Sequence, residues 1–135
     1  MKLLIDANIL LDVLQNRSKF VKDSSLIWKL CETGKAEGVV SVLTYANLVY
    51  VMRKELEPEA IADVFKKLNL IFHFEDLSVA DLTHAAEMKW DDFEDAIQAA
   101  TAERVGADYI VTRNVKDYSQ SKVLAFAPTD ILARV

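Results

Sequence analysis

The sequence is poor in the residues that build disulfide frameworks and zinc sites. Its 135 residues include one cysteine, Cys31, and two histidines, His73 and His84. A single cysteine cannot form an internal disulfide, and so few histidines do not give a zinc site of the usual spacing. These absences favour a reducing, cytoplasmic setting.

Long apolar runs and linker-forming residues are also scarce. The longest stretch without charge, residues 38–52, is shorter than the ~20 residues that cross a bilayer. The first eleven residues are interrupted by Lys2 and Asp6 and do not have the order of a signal peptide. Three glycines and two prolines are scattered along the chain, so no linker is indicated. We expect a single domain spanning residues 1–135 and no membrane segment.

The chain also has no net positive charge. The formal net charge is -5, which argues against a protein that holds nucleic acid by bulk charge. A nuclease is still allowed, because an acidic metal site raises the negative count while a few local cations contact phosphate.

Short apolar runs alternate with helical patterns along the whole chain. This alternation predicts the α/β class, as a three-layer α/β/α sandwich with a mostly parallel, five-stranded sheet. Strands are predicted at 2–5, 39–41, 70–77, 109–111 and 123–126. Helices are predicted from about residue 9 to 14, from Ser18 or Asp23 to Gly34, and at 44–56, 58–68, 78–89, 92–105 and 129–133.

Polar residues follow the first and fourth predicted strands. Asp6 and Asn8 come after the first, and the run from Thr112 to Asn114, with Asp117 beyond it, follows the fourth. Functional groups of parallel sheets lie beyond the carboxyl ends of the strands, so these residues should share one edge. Alternatively, Asp6 or Asn8 only caps the next helix.

The most acidic stretch of the chain, residues 91–95, introduces the helix at 92–105. Asp92 and Asp95 are three residues apart, a spacing that puts both carboxylates on one face of the helix start. Helix capping and the helix dipole explain one or two such acids without any function. They do not explain the aspartates that follow two strands.

Carboxylates that meet one or two amides, without histidine or cysteine, form a hard-oxygen set. Such a set suits Mg²⁺ or Mn²⁺ rather than zinc. Arg113, Lys116 and Lys122 are close in sequence and are candidates for contact with substrate phosphates. Taken individually, each of them is better explained as ordinary solvated surface.

Three segments together resemble the signature of the PIN-domain family. They are LIDANI at 4–9, DFEDA at 92–96 and IVTRNVKDY at 110–118. The resemblance implies a small PIN-like α/β nuclease, of which many are VapC-type toxins of toxin–antitoxin pairs. It implies metal-binding roles for Asp6, Asp95 and Asp117, a further catalytic role for Asp92, and support from Asn8, Thr112 and Asn114.

The family usually has another acid near the start of the helix after the second strand, where this chain has Asn47. An amide supplies no negative charge, so Asp92 or Glu94 would have to compensate. We expect a Mg²⁺- or Mn²⁺-dependent endoribonuclease, with a non-cutting RNA- or protein-binding PIN domain as the alternative. A haloacid-dehalogenase-type phosphatase is disfavoured, since the second aspartate that it requires is Asn8.

The predicted helix at 44–56 has almost no polar face. Such a helix is either central in the domain or shared with another chain. We therefore expect a homodimer, or a groove that accepts an antitoxin helix.

Overall fold

The computed structural model describes residues 1–135 and contains one five-stranded parallel sheet with seven α-helices. The strands are β1 (Lys2–Ile5), β2 (Glu37–Ser41), β3 (His73–Glu75), β4 (Tyr109–Val111) and β5 (Ala125–Phe126), in the order β3-β2-β1-β4-β5. The helices are α1 (Ala7–Leu14), α2 (Val21–Glu32), α3 (Val42–Met52), α4 (Pro58–Ile71), α5 (Val79–Glu87), α6 (Phe93–Arg104) and α7 (Pro128–Leu132). No helix is both long and apolar enough to span a membrane.

The two faces of the sheet have separate cores, which confirms the predicted α/β sandwich. Because side chains alternate along a strand, Leu3 and Ile5 of β1 pack with α1, α2, α3, α4 and α7 on one face. Leu4 points to the other face, where it packs with α6 and with a 3₁₀ turn at Val115–Tyr118. The central strand β1 is therefore covered on both sides.

Several predicted boundaries are wrong, and the largest error concerns the strand at 70–77. Helix α4 continues to Ile71, and β3 covers only His73–Glu75. The helical spacing of Phe65 and Leu68 extends to Ile71, and the exposed Leu70 lies on the solvent side of this last turn. The last strand is likewise limited to Ala125–Phe126.

Helix α3 starts two residues earlier than predicted and ends at Met52 instead of residue 56. Its cap is Ser41, whose side chain accepts a hydrogen bond from the Thr44 N–H. Its apolar residues are largely packed within the chain: Leu48 and Met52 are buried, and Tyr45 stacks on Phe65. The apolar face is thus mostly explained by the fold itself.

Candidate functional site

Asp6 lies between the carboxyl ends of β1 and β4. Its backbone N–H donates to the Val111 carbonyl at 3.0 Å, which continues the pairing of the two strands. Its carboxylate accepts hydrogen bonds of 2.8 Å from the Ala7 N–H and from the Thr112 hydroxyl. Thr112 also accepts from the Asn114 N–H at 3.0 Å, so it links Asp6 to the loop that follows β4. Asp6 is therefore both the N-cap of α1 and a fixed carboxylate at the sheet edge.

Helix α6 brings a second carboxylate to this edge. Asp92 is its N-cap and accepts a hydrogen bond from the Asp95 N–H at 3.1 Å. Asp95, one turn further, lines a small cleft of about 50 Å³ together with Asp6, Asn47 and Glu94. The capping role explains Asp92, but Asp95 faces the same cleft as Asp6.

Asp117 lies on the 3₁₀ turn and lines a second cleft. This cleft has a volume of about 290 Å³ and also contains Asp92, Asp95 and Lys116. Asp95 is common to both clefts. As they stand, no three acidic, histidine or cysteine side chains are grouped closely enough to hold a metal ion.

Burial and mutual repulsion act on the two inner carboxyls. Burial raises the pKa of Asp6, against the hydrogen bonds from Thr112, Ala7 and Gln98, and the charge of Asp117 raises it further. Burial, followed by the charges of Asp92 and Asp6, raises the pKa of Asp95 to about 6. The acids are therefore close enough to disfavour one another's ionisation, which a cation would reverse.

Comparison with known proteins gives the family. A sequence model described as PIN domain matches residues 2–116. The chain belongs to the PIN-domain family. No curated protein matches it.

Solved structures share the fold at low sequence identity. A toxin–antitoxin complex from Klebsiella pneumoniae is 20% identical, with a TM-score of 0.67, over 93% of this chain and 96% of that chain. VapBC2 from Rickettsia felis, bound to a promoter DNA fragment, is 16% identical, with a TM-score of 0.68, over 94% and 98%. FitAcB from Neisseria gonorrhoeae is 18% identical, with a TM-score of 0.64, over 94% and 98%. At these identities the likeness shows the fold.

Asn47, where the resemblance to the PIN family leads us to expect an acid, is an amide that contacts another acid. The Asn47 Nδ2 donates to the Glu94 Oε2 at 3.4 Å. Asp92, the other candidate for compensation, caps α6 and lines the larger cleft instead. Of these two candidates for compensation, Glu94 is the one that lines the same cleft as Asn47.

Gln98, which is 4% exposed, was not predicted from the sequence as a residue of this site. Its Oε1 accepts from the Ser41 hydroxyl at 2.8 Å, and its Nε2 donates to the Thr44 hydroxyl at 3.0 Å and to the Asp6 carboxylate at 3.5 Å. This network ties α6 to the start of α3 and to Asp6. A long polar side chain among the small residues of α6 was the available signal.

Tyr118 was also missed, although it ends one of the three signature segments. Burial raises the pKa of this phenol, and the charges of Asp6 and Asp95 raise it further. Its hydroxyl has no hydrogen bond of normal distance and angle. The phenol therefore keeps its proton beside the acidic cluster.

Asn8 has a similar feature beside Asp6. Its Nδ2 donates weakly to the Asp6 carboxylate at 3.5 Å, and its buried Oδ1 has no hydrogen-bond donor. A neutral oxygen is thus free next to a carboxylate.

Of the three cations suggested as phosphate contacts, two are paired. Arg113 donates to both Asp12 oxygens at 3.0 and 3.1 Å, and its guanidinium lies 3.8 Å from the centre of the Phe20 ring. Lys122 pairs with Glu103 at 3.5 Å. Lys116 faces the larger acidic cleft, and it is the strongest candidate of the three.

A third cleft, which has a volume of about 360 Å³ and is not part of the acidic site, lies between α5 and α6 on the other side of α6. Asp81 and Arg104 in this cleft pair with each other at 3.1 Å, and Glu103, which also lines it, pairs with Lys122. Because these charged side chains are paired, this cleft is a weaker candidate for a functional site than the acidic clefts at the sheet edge, despite its greater volume.

Proposed function

We propose that this PIN domain is a metal-dependent endoribonuclease and the toxin of a type II toxin–antitoxin pair. One observation supports it above the rest: Asp6 and Asp95, from two separate segments, face one cleft at the carboxyl edge of the sheet. Ligand sites of open α/β sheets lie at this edge. The nuclease character of the PIN family gives these acids a chemical role.

The side chains fit Mg²⁺ or Mn²⁺ by their chemistry. Asp6, Asp95 and Asp117 would hold the ion through carboxylate oxygens, and the unpaired Oδ1 of Asn8 is an additional neutral oxygen. A bound divalent ion would lower the pKa of a water ligand and would stabilise negative charge on a phosphate. The raised pKa values of Asp6 and Asp95 are consistent with carboxylates that await a cation.

The remaining residues would orient these acids and the substrate. Thr112 and the Ala7 N–H fix the Asp6 carboxylate, and Asp92 holds the first turn of α6 that carries Asp95. Lys116 would attract an RNA phosphate toward the acidic cleft that contains Asp92, Asp95 and Asp117. Local attraction of this kind does not require a positive net charge.

We propose further that Glu94 supplies the charge that Asn47 lacks. The Asn47 amide donates to the Glu94 carboxylate across the cleft that contains Asp6 and Asp95. The cleft would then have as many acids as the family pattern provides, with one of them on α6 instead of α3.

The test is cleavage of an RNA oligonucleotide pool with Mg²⁺ or Mn²⁺ by the wild type, Asp6→Asn and Asp95→Asn. We expect activity only in the wild type, because each variant removes a charge that the ion needs. Asp130→Asn, at an exposed acid of α7, is the matched control and should cleave normally. Equal activity in all four proteins would refute the proposal.

A non-cutting PIN domain is the second candidate, and the neutral Asn47 favours it. Such a protein would bind RNA or a protein partner without metal. Calorimetric titration with Mn²⁺ separates the two functions, since absence of heat would support the binding module.

An antitoxin partner, a homodimer and a cytoplasmic location belong to the same proposal. Tyr50 on α3 is 55% exposed, and Arg53 lies 4.2 Å from the centre of its ring. An exposed aromatic residue beside a cation suits a protein interface. Light scattering of the chain alone, and after co-expression with a neighbouring small reading frame, tests both partners.

A further inference from the structure

The Tyr118 side chain has a hydroxyl that its packing does not explain. The residue is 3% exposed, and its ring contacts Trp90 edge to face, with centroids 6.4 Å apart. Phenylalanine would fill the same space. The buried hydroxyl has no hydrogen bond of normal distance and angle, and such groups are rare because burial without a partner is unfavourable.

The surroundings of this hydroxyl are acidic. Tyr118 directly follows Asp117, and its ring packs on Trp90, which lines a cleft together with Asp92 and Asp95. Burial and the charges of Asp6, Asp95 and Asp92 raise the pKa of the phenol, and the hydroxyl acts to lower the pKa of the Asp95 carboxyl. A protonated phenol in this position can only donate to the carboxylates. Asp95 is the candidate acceptor, because it lines the same cleft as Trp90 and Asp117.

We propose that Tyr118 is a positioning residue for Asp95, whose carboxylate it orients by donating a hydrogen bond when a divalent cation is bound. This inference rests on the proposed metal-dependent function. Donors behind a metal ligand fix its orientation, and their removal weakens metal binding. Tyr118 also adjoins Asp117, so the same bond would tie the 3₁₀ turn to α6.

The substitution Tyr118→Phe tests the proposal because it removes only the hydroxyl. The measurements are the Mn²⁺ dissociation constant by calorimetry and the Tm of the metal-free protein. We expect roughly tenfold weaker binding of Mn²⁺, with an unchanged or higher Tm, since an unpaired buried hydroxyl is removed. Tyr109→Phe, which lies at the other end of β4 and packs on Phe126, is the matched control and should bind as the wild type does.

Three results would overturn the proposal. One is wild-type affinity in Tyr118→Phe, and another is a lower metal-free Tm or failure to fold, which would make the hydroxyl structural. The third is a wild type that binds no Mn²⁺, which would refute the metal-dependent function as well. Metal binding by the wild type with no effect of Tyr118→Phe would refute the positioning role alone.

Discussion

Two aspartates at opposite ends of α1 have opposite surroundings. Asp12 is fully buried and accepts hydrogen bonds from the Arg113 Nε and Nη2 at 3.0 and 3.1 Å and from the Ser24 hydroxyl at 2.8 Å. Asp6 is half-buried and is held only by neutral donors, while the charge of Asp117 acts against its ionisation. Arg113 compensates the charge of Asp12, whereas no cation of the chain pairs with Asp6.

The difference separates a structural acid from a candidate functional one. A buried charge is tolerated when a cation and hydrogen bonds surround it, as they surround Asp12. At Asp6 the chain provides orientation without charge compensation and leaves one side open to a cleft. A compensating cation must then come from outside the chain, which is the physical basis for proposing a metal site.

Removal of the structural acid should give the largest effect on stability. Asp12→Asn leaves the partly buried Arg113 without its partner charge, and loss of one member of such a pair typically costs about 3–5 kcal/mol. Urea unfolding measures the change in the free energy of unfolding. Because Arg113 follows Thr112, we also expect the loop with Asp117 to become more accessible to protease.

The control for this prediction is Asp63→Asn. Asp63 and Lys66 form an ion pair of 3.9 Å on the surface of α4, with side chains 71% and 80% exposed. Exposed pairs contribute at most ~1 kcal/mol. Similar losses in both variants would mean that the Asp12 ion pair does not stabilise the fold.

Of the two acids, the sequence allows the position of Asp6 to be predicted but not the buried surroundings of Asp12. Asp6 could be predicted because it directly follows a buried strand, and that position determines which edge it occupies. Asp12 lies inside a helix, where one polar residue among apolar ones indicates the solvent side. Its partner Arg113 is 101 residues away, and a single sequence does not reveal such a distant pairing.

The same limit applies to the candidate site. Parallel topology predicts that residues after β1 and β4 meet, because strands pair side by side. The contacts of Gln98 with Ser41 and Thr44 and of Asn47 with Glu94 depend on how α3 packs against α6. That packing depends on side-chain shape across separate segments, which periodicity does not specify.

An intermediate effect is expected from Glu94, on metal binding and not on stability. Glu94→Gln should weaken Mn²⁺ binding about tenfold, which corresponds to about 1.4 kcal/mol, because the cleft loses a charge. Asn47→Glu added to Glu94→Gln should restore affinity, since it returns a carboxylate to the same cleft from α3. Calorimetry gives both dissociation constants.

Glu103→Gln is the matched control, since Glu103 lies on the same helix and pairs with Lys122. It should bind Mn²⁺ as the wild type does. If Glu94→Gln also has wild-type affinity, Glu94 does not replace the missing acid. If the double variant still binds Mn²⁺ weakly, the affinity depends on the exact position of the carboxylate and not only on its charge.

The smallest effect should be a gain in stability when a candidate functional acid is neutralised. The pKa of Asp95 rises from 3.8 to about 6 on folding, so the folded state binds more protons between these values. The metal-free wild type should therefore lose stability as the pH rises from about 4 to about 6. Asp95→Asn removes this loss and should be more stable by about 1 kcal/mol at pH 7.5, after allowance for solvent screening.

Urea unfolding in EDTA at pH 4 and pH 7.5 checks both the sign and the pH window. The gain should vanish at pH 4, where Asp95 is protonated in the folded wild type and the carboxamide replaces a neutral group. Asp91→Asn, an exposed neighbour, should change stability little at either pH. A gain that is equal at both pH values would point to altered packing, and a loss at pH 7.5 would place Asp95 with Asp12 among the acids that stabilise the fold.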